Sequence, residues 1–363
     1  MNIGIPKERR PFEYRVGLTP TAIQMIIKNG HKCYVEHDAG LGAGFSDQEY
    51  EQAGARIVYS AHEVFGRADL LIKAARPTLD EINWLRSGTA IAGLLHLNSA
   101  RIDKIDALIE NEITSIGLEQ IQLENGRMPV RHALAQIGGL MVPQVAAGLL
   151  QNEAGGKGIL LGGVVGVPPA EVVIIGAGVV GTCATQGFLG MGAHVTVLDI
   201  DLNALQRIHD RYSGVVTMIA NPVSIARAIS YADVVVGAIF IPGERAPIVI
   251  TREMLQSMKP RTIIMDISID EGGCIETSRP TTHDHPTFVE EGIIHYCVPN
   301  MPGVVARTST HALINSALPY ILEMTDKGVE AAIDQNPAIE KGICTRGGKI
   351  VHLSSFAQML QED

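Results

Sequence analysis

The sequence predicts an α/β protein with two doubly wound parallel-sheet domains, and three observations carry that expectation. Apolar, strand-like runs alternate with helix-compatible stretches in both halves of the chain. At 363 residues the chain exceeds what one hydrophobic core usually organises, so two domains are expected. Near the middle, a glycine-rich turn lies between a buried-strand run and a helix, as a nucleotide-binding sheet requires.

The elements follow in chain order. Asn2–Ile5 reads as a short apolar strand, and a polar loop continues through Arg15. Thr19-Pro20 has the form of an N-cap with proline at the first helical position, Ile23, Ile26 and Ile27 share a helical face, and Gly30 stops the helix. A strand at 31–37 and a helix at 46–53 come next. Further strands are expected at 70–73, 90–96 and 113–119, with Asn98 or Ser99 capping a helix that starts near Ala100. A long helix over 130–150 leads into the glycine-rich segment 155–167. The second series then runs strand 171–175, helix 179–191, strand 194–199 and helix 202–212, with strands at 233–239, 262–266 and 293–297. From about Thr308 to Met324 the pattern is helical again, with Leu313, Ala317, Leu318, Ile321 and Leu322 on a core face.

Composition narrows the function classes. A net charge of −10, with no basic run, argues against a nucleic-acid partner, because phosphates would be repelled. Mean hydropathy is +0.17, yet the most apolar stretch, 158–181, is broken by glycines, Pro168, Pro169 and Glu171, so no membrane span is expected. The first residues lack a basic region followed by an apolar one, so no signal peptide is expected. Five scattered cysteines (Cys33, Cys183, Cys274, Cys297, Cys344) form no C-x-x-C and read as free thiols of a cytoplasmic protein.

The central turn reads Gly176-Ala177-Gly178-Val179-Val180-Gly181. Gly176 permits the tight turn, Gly178 lets backbone approach a pyrophosphate, and Gly181 allows close helix–strand packing. The amides at the start of the helix, around Val179 and Val180, face the phosphates. The next strand ends in Asp199, about 20 residues further on, where a carboxylate binds ribose hydroxyls and repels a 2′-phosphate. The fingerprint therefore predicts a Rossmann domain that binds NAD.

Other polar residues fall at expected strand ends, which line the ligand crevice of open α/β sheets. Arg15 follows the first strand, Lys73 and His96 close two others, and Asp270 lies just past Asp266. An arginine can clamp a carboxylate, a histidine can move a proton near neutral pH, and an aspartate can orient water or ammonia. Such a set suits a 2-amino or 2-oxo acid beside a nicotinamide. The plain alternatives are a solvated Arg15, a satisfied core His96, a snorkelling Lys73 and an Asp270 that caps the turn at 271–273. Asn300-Met301-Pro302-Gly303 could reach the nicotinamide or be an ordinary turn. His283-Asp284-His285 reads as a polar loop, and no metal is expected.

At these residues the chain resembles the alanine dehydrogenases, which share a family with the alpha subunit of nicotinamide nucleotide transhydrogenase. Matching stretches include Ile3-Gly-Ile-Pro-Lys-Glu8, Arg15-Val-Gly-Leu-Thr-Pro20, Leu95-His96-Leu97, Asp266-Ile-Ser-Ile-Asp-Glu-Gly-Gly273, Ser278-Arg-Pro-Thr-Thr282 and Asn300-Met-Pro302. The resemblance implies that Arg15 holds the substrate carboxylate, that His96 is the acid/base, and that Asp270 assists the water and ammonia steps. Asn300 and Met301 would face the cofactor. It further implies NAD-dependent conversion of L-alanine to pyruvate and ammonium by a homo-oligomer, usually a hexamer. A discontinuous substrate domain, residues 1–128 plus 308–363, would flank an NAD-binding domain at 129–307.

Two stretches depart from the family pattern. Where the family carries K-x-K-E-P, this chain reads Lys73-Ala74-Ala75-Arg76-Pro77, so the lysine that contacts the substrate carbonyl is Ala75. Where the family carries a Ser-Glu pair, Ala135-Gln136 stands. Lys73, Arg76 and Arg131 are the candidates to supply the missing cation, with Lys73 and Arg76 assigned to substrate binding. Ala75 would also free volume for a larger side chain. The rival readings are a dehydrogenase, imine reductase or cyclodeaminase acting on a larger substrate, and a non-catalytic NAD-binding sensor or partner module.

Overall fold

The computed structural model describes residues 1–242 and 244–353. Two compact units emerge, one formed by Met1–Leu134 with the chain from Pro302 onward, the other by Ala135–Met301. Residues 354–363, part of the expected 308–363 segment, lie outside the described residues.

The first unit is built on β1 (Asn2–Ile5), β2 (Lys32–Glu36), β3 (Arg56–Val58), β4 (Leu70–Lys73), β5 (Ala90–Gly93) and β6 (Thr114–Gly117). These pair in parallel in the order β3-β2-β1-β4-β5-β6, so the winding reverses between β1 and β4. Helices on both faces explain why β4, β5 and β6 are buried along their whole length. The first helix, Pro20–Lys28, begins where expected: the Thr19 side chain accepts the Ala22 amide, and Gly30 leaves the helix at φ +89°. The late helix Ala306–Lys327 buries Leu313, Ile314, Ala317, Ile321 and Met324 in the same core cluster as Ile3 and Ile5. Each of the larger of these side chains contributes about 1.5–3 kcal/mol on burial, enough to bind a sequence-distant helix into this unit.

The second unit contains β7 (Glu171–Ile175), β8 (His194–Asp199), β9 (Val216–Ile219), β10 (Val234–Gly237), β11 (Ile263–Asp266), β12 (Thr287–Glu290) and β13 (Ile293–Tyr296). Its parallel strands run β9-β8-β7-β10-β11-β13, the order of a dinucleotide-binding sheet, with the reversal between β7 and β10. The glycine turn sits at that reversal. Gly176 has φ +111°, and a Cβ there would lie 2.3 Å from the Ala238 carbonyl oxygen that follows β10. A Cβ on Gly181 would lie 1.8 Å from the Gly176 carbonyl oxygen, so the helix Val179–Gly190 can approach β7 only with glycine at 181.

The fold class is α/β, with two parallel-dominated mixed sheets rather than wholly parallel ones. β12 pairs antiparallel with β13, and β14 (Ile343–Arg346) and β15 (Lys349–Ile350) add antiparallel strands beside β6. These short pieces cover sheet edges that would otherwise present unpaired backbone. The strand expected over 90–96 stops at Gly93, because the Leu95 and His96 amides leave the ladder for the Glu119 carboxylate. Neither Asn98 nor Ser99 caps a helix. Leu97–Ser99 is a 3-10 turn, and the helix Ile102–Glu110 starts after Arg101 with no side-chain cap.

The glycine contact yields a direct test. Gly181→Ala should destabilise the second unit by roughly 1–3 kcal/mol through overpacking and weaken nucleotide binding. Denaturant unfolding followed beside nucleotide titration reads both, and an unchanged midpoint would contradict the packing argument.

Candidate active site

Within the first unit, polar side chains gather at the carboxyl ends of adjacent strands β1, β4, β5 and β6. The deepest is Lys73, at the end of β4, whose side chain has no exposed surface. Its ammonium lies 2.9 Å from Glu8 Oε2 and 2.8 Å from Glu81 Oε1. Glu8 follows β1 and also accepts the Ala74 amide at 2.7 Å and the Ala75 amide at 3.3 Å. Burial pushes the Glu8 carboxyl up, against the pull of Lys73. Burial alone would lower Lys73, but Glu8 and Glu81 outweigh it and hold the ammonium above its ordinary range. The snorkelling picture of Lys73 is therefore corrected: its charge is buried in an ion triad, not carried to water.

Arg15 is also buried, at 3% exposure, which overturns the solvated alternative. Its Nε donates to Glu13 Oε1 at 2.7 Å and an Nη to Glu13 Oε2 at 2.6 Å, a bidentate pair that fixes the plane of the guanidinium. A cavity of about 250 Å³ opens beside it, lined by Lys7, Glu8, Glu13, Tyr14, Arg15 and Asp38 among others. Ala75 is buried at 5% exposure and is not among the residues that line this cavity.

His96 follows β5 in the left-handed region, at φ 43° and ψ 45°. Its imidazole is half-buried and has no hydrogen-bond partner among the described residues, unlike a satisfied core histidine. Burial lowers its proton affinity, and the charges of Arg131, Arg76, Arg15 and Arg10 lower it further, so its pKa is pushed down to about 3. Arg76 donates from Nε to the Leu95 carbonyl at 2.8 Å, from Nη1 to the Ser99 carbonyl at 2.9 Å, and also to the His96 carbonyl. Of the three candidate cations, Lys73 is buried between carboxylates and Arg76 lies along the His96 loop. Arg131, in the first turn of the helix Pro129–Leu149, exerts the largest charge effect on His96.

In the second unit, Gly178 is exposed at the N-terminus of its helix, and a Cβ there would meet nothing within 4 Å among the described residues. That open cradle, lined by the amides near Val179 and Val180, fits a pyrophosphate. Asp199 ends β8 and accepts the Ala177 amide at 2.6 Å and the Asp201 amide at 2.8 Å. One carboxylate thus joins the glycine loop to the end of the neighbouring strand. These residues fit a dinucleotide.

Asp270 is exposed, and its carboxylate accepts the Asn300 amide at 3.2 Å, with Asn300 at φ 54°. The buried Asp266 carboxylate accepts amides from Ser268, Cys274 and Ile275. Met301 is buried in the core of the second unit at 3% exposure. His283, Asp284 and His285 lie in a loop where Asp284 accepts the Thr282 hydroxyl. Residue reading missed Glu13, Glu81 and Glu119. The expected strand 113–119 already ended on Glu119, whereas nothing local announced that Glu81 would reach Lys73.

The triad generates a test of its own. Lys73→Met leaves the buried Glu8 without its cation and Glu81 with only the more distant Arg9 guanidinium, at 3.6 Å, and should cost about 3–5 kcal/mol of stability. With the cation gone, Glu8 would rise further above its unfolded value, so the folded state would hold protons that the unfolded state has released. The loss should therefore be larger at pH 8 than at pH 5, as read by urea unfolding at both. A loss independent of pH would exclude this origin.

Comparison with known proteins follows the same division. The alanine dehydrogenase/PNT N-terminal domain matches residues 4–138, and the C-terminal domain of that family matches residues 142–353. The alanine dehydrogenase of Methanococcus maripaludis is 44% identical over 354 residues, covering 97% of this chain and 95% of its own. That of Geobacillus stearothermophilus is 44% identical over 355 residues, with the same coverage. A solved L-alanine dehydrogenase structure superposes with a TM-score of 0.94 at 37% identity and covers 100% of both chains. With both domains matched and relatives aligned over nearly its full length, the chain belongs to the alanine dehydrogenase/PNT family.

Proposed function

We propose that the protein catalyses the NAD-dependent oxidative deamination of L-alanine to pyruvate and ammonium. The observation that carries this reading is the placement of His96, whose imidazole has no hydrogen-bond partner among the described residues, at the same sheet edge as the buried Arg15 guanidinium held in plane by Glu13. Such a surface receives a carboxylate and offers a base. Membership of a family whose relatives are alanine dehydrogenases supports the substrate.

In this reading Arg15 holds the substrate carboxylate, its guanidinium kept in plane by Glu13. His96 takes a proton from the substrate ammonium, because an amine must be neutral before its Cα can release hydride. NAD, when bound, supplies the hydride acceptor. The amides at Gly178, Val179 and Val180 hold its pyrophosphate, Gly176 and Gly181 shape that loop, and Asp199 binds the adenosine ribose. Asn300 and Met301 form the nicotinamide end. Asp270 orients the water that adds to the imino acid and the ammonia that leaves. Arg131, rather than Lys73 or Arg76, stands in for the family's second lysine at the developing oxyanion. Lys73 serves through Glu8, and Arg76 through the His96 loop.

The partners proposed are the small amino-acid or oxo-acid substrate and further copies of the chain, as a hexamer in the cytoplasm. Among the described residues, no helix is long and apolar enough to cross a membrane. Light scattering on the eluted protein tests the oligomer.

A panel of L-amino acids with NAD should produce NADH fastest with L-alanine. His96→Ala should lower kcat about 10²- to 10⁴-fold with NAD binding intact. No NADH from any amino acid, with NAD bound, would favour the sensor reading, and preference for a longer side chain would favour the larger-substrate reading. Because His96 stays neutral down to about 3, kcat/KM for oxidation should show no acid limb at the ordinary histidine value. Such a limb near pH 6.5 would contradict the arginine cluster. On the cofactor side, Asp199→Ser should raise the NADP-to-NAD ratio of kcat/KM at least about tenfold, by removing the charge that repels the 2′-phosphate.

A further inference from the structure

His96 occupies a backbone conformation disfavoured for any residue with a side chain, and glycine is no substitute there because the imidazole is the chemical group. Opposite charges grip the loop from its two sides. Glu119, at 3% exposure, accepts the His96 amide on Oε1 at 2.6 Å and the Leu95 amide on Oε2 at 3.1 Å. Arg76 covers the carbonyls of Leu95, His96 and Ser99, and its Nη2 reaches the Ser99 hydroxyl at 2.8 Å. Ser99 in turn donates its hydroxyl to the His96 carbonyl at 3.1 Å. A carboxylate takes the donors and a guanidinium takes the acceptors of one short segment.

The fold also makes room for the carboxylate. A Cβ on Gly117, at the end of β6, would lie 3.0 Å from Glu119 Oε1. Glycine therefore lets the Glu119 side chain fold back toward the neighbouring strand end. Burial raises the Glu119 carboxyl, but its backbone amide partners and Arg131 favour the ionised form that accepts on both oxygens. Both Glu119 oxygens accept backbone amides of this segment, whereas the imidazole itself has no hydrogen-bond partner among the described residues.

We propose that Glu119 and Arg76 are positioning residues for His96, a charged clamp that fixes the left-handed loop and so aims the imidazole at the substrate. This rests on the reading of His96 as the acid/base. It assigns Glu119 a role in turnover without contact to substrate or cofactor. It also gives Arg76 a purpose other than binding substrate.

The test uses the full chain with Glu119→Gln, a change of nearly equal shape. An amide has one acceptor oxygen, so its NH2 group must face one of the two backbone donors and the clamp opens on that side. With rates normalised to NAD sites counted by titration, kcat should fall about 10²-fold, the scale of misplacing a reacting group by an ångström. KM for L-alanine and the NAD dissociation constant should stay within about threefold, since Arg15 and the glycine loop are untouched. A purely structural role would instead reduce the number of NAD sites and leave kcat per site unchanged. Should Glu119→Gln fail to fold, Arg76→Lys, which cannot span three carbonyls with one fork, should give the same split. A kcat per site within about threefold of the parent, or a loss confined to KM, overturns the clamp. Should the parent itself make no NADH from L-alanine, the functional reading fails separately. Nitrogen-15 spectra of the His96 ring then decide: an altered tautomer ratio in Glu119→Gln supports the clamp, and an unchanged ring signal overturns it.

Discussion

A buried ammonium between two carboxylates ties together the strands on either side of the point where the first sheet reverses its winding. Lys73 closes β4, Glu8 follows β1, and Glu81 comes from the short helix Leu79–Asn83. Taking three charges out of water is costly, and the arrangement persists only because geometry and further hydrogen bonds compensate. Glu8 meets part of that requirement by accepting the Ala74 and Ala75 amides. The loops that carry Arg15 and Arg76 leave the sheet from these anchored ends. Their placement therefore depends on an almost wholly buried ion triad, with Glu8 at the wall of the cavity.

In the proposed reading the two units would receive negative charge by different means. In the second unit, backbone amides at a helix N-terminus would do so, supplying partial charges that need no side chain and demand glycine for close approach. In the first unit, guanidiniums converge near His96, and their first consequence is to keep that imidazole neutral. A bound carboxylate would offset part of this field and raise the proton affinity of the ring when substrate is present. The same arginines would thus recruit the substrate and set the base.

Both sheets use one device at their reversal point. After β1, Gly17 lies so near β4 that a Cβ would sit 2.2 Å from the Ile72 carbonyl oxygen. After β7, Gly176 stands in the same relation to Ala238, at 2.3 Å. In each case the loop leaving one strand must cross beside the backbone of the next, and only the absence of a side chain permits it. Arg15 precedes Gly17 by two residues, and Gly178 follows Gly176 by two. Arg15 and Gly178 therefore each sit beside a tight backbone crossing in their own unit.

Much of this was legible in the residues alone. The strand–turn–helix around Gly176, the acid at Asp199 and the capped helix after Thr19 follow from local rules: glycine where φ is positive or space is closed, a hydroxyl where amides lack partners, alternation where a sheet is covered. The strand-end positions of Arg15, Lys73, His96 and Asp270 were equally visible, because parallel strands deliver their ends to one edge. What sequence could not assign was the use of each charge. Lys73 read as a surface or substrate-facing cation and became the buried centre of a triad, since Glu8 and Glu81 approach it only when β1, β4 and the following helix pack. The strand expected to run to His96 stopped at Gly93, since a carboxylate from the end of β6 captured its amides. The sequence by itself determined the element pattern, the nucleotide fingerprint and the residue types of the site, because these obey short-range sterics and periodicity. Tertiary structure alone decided which charge meets which, because Coulomb and hydrogen-bond partners are selected by distances that only the packed sheet sets.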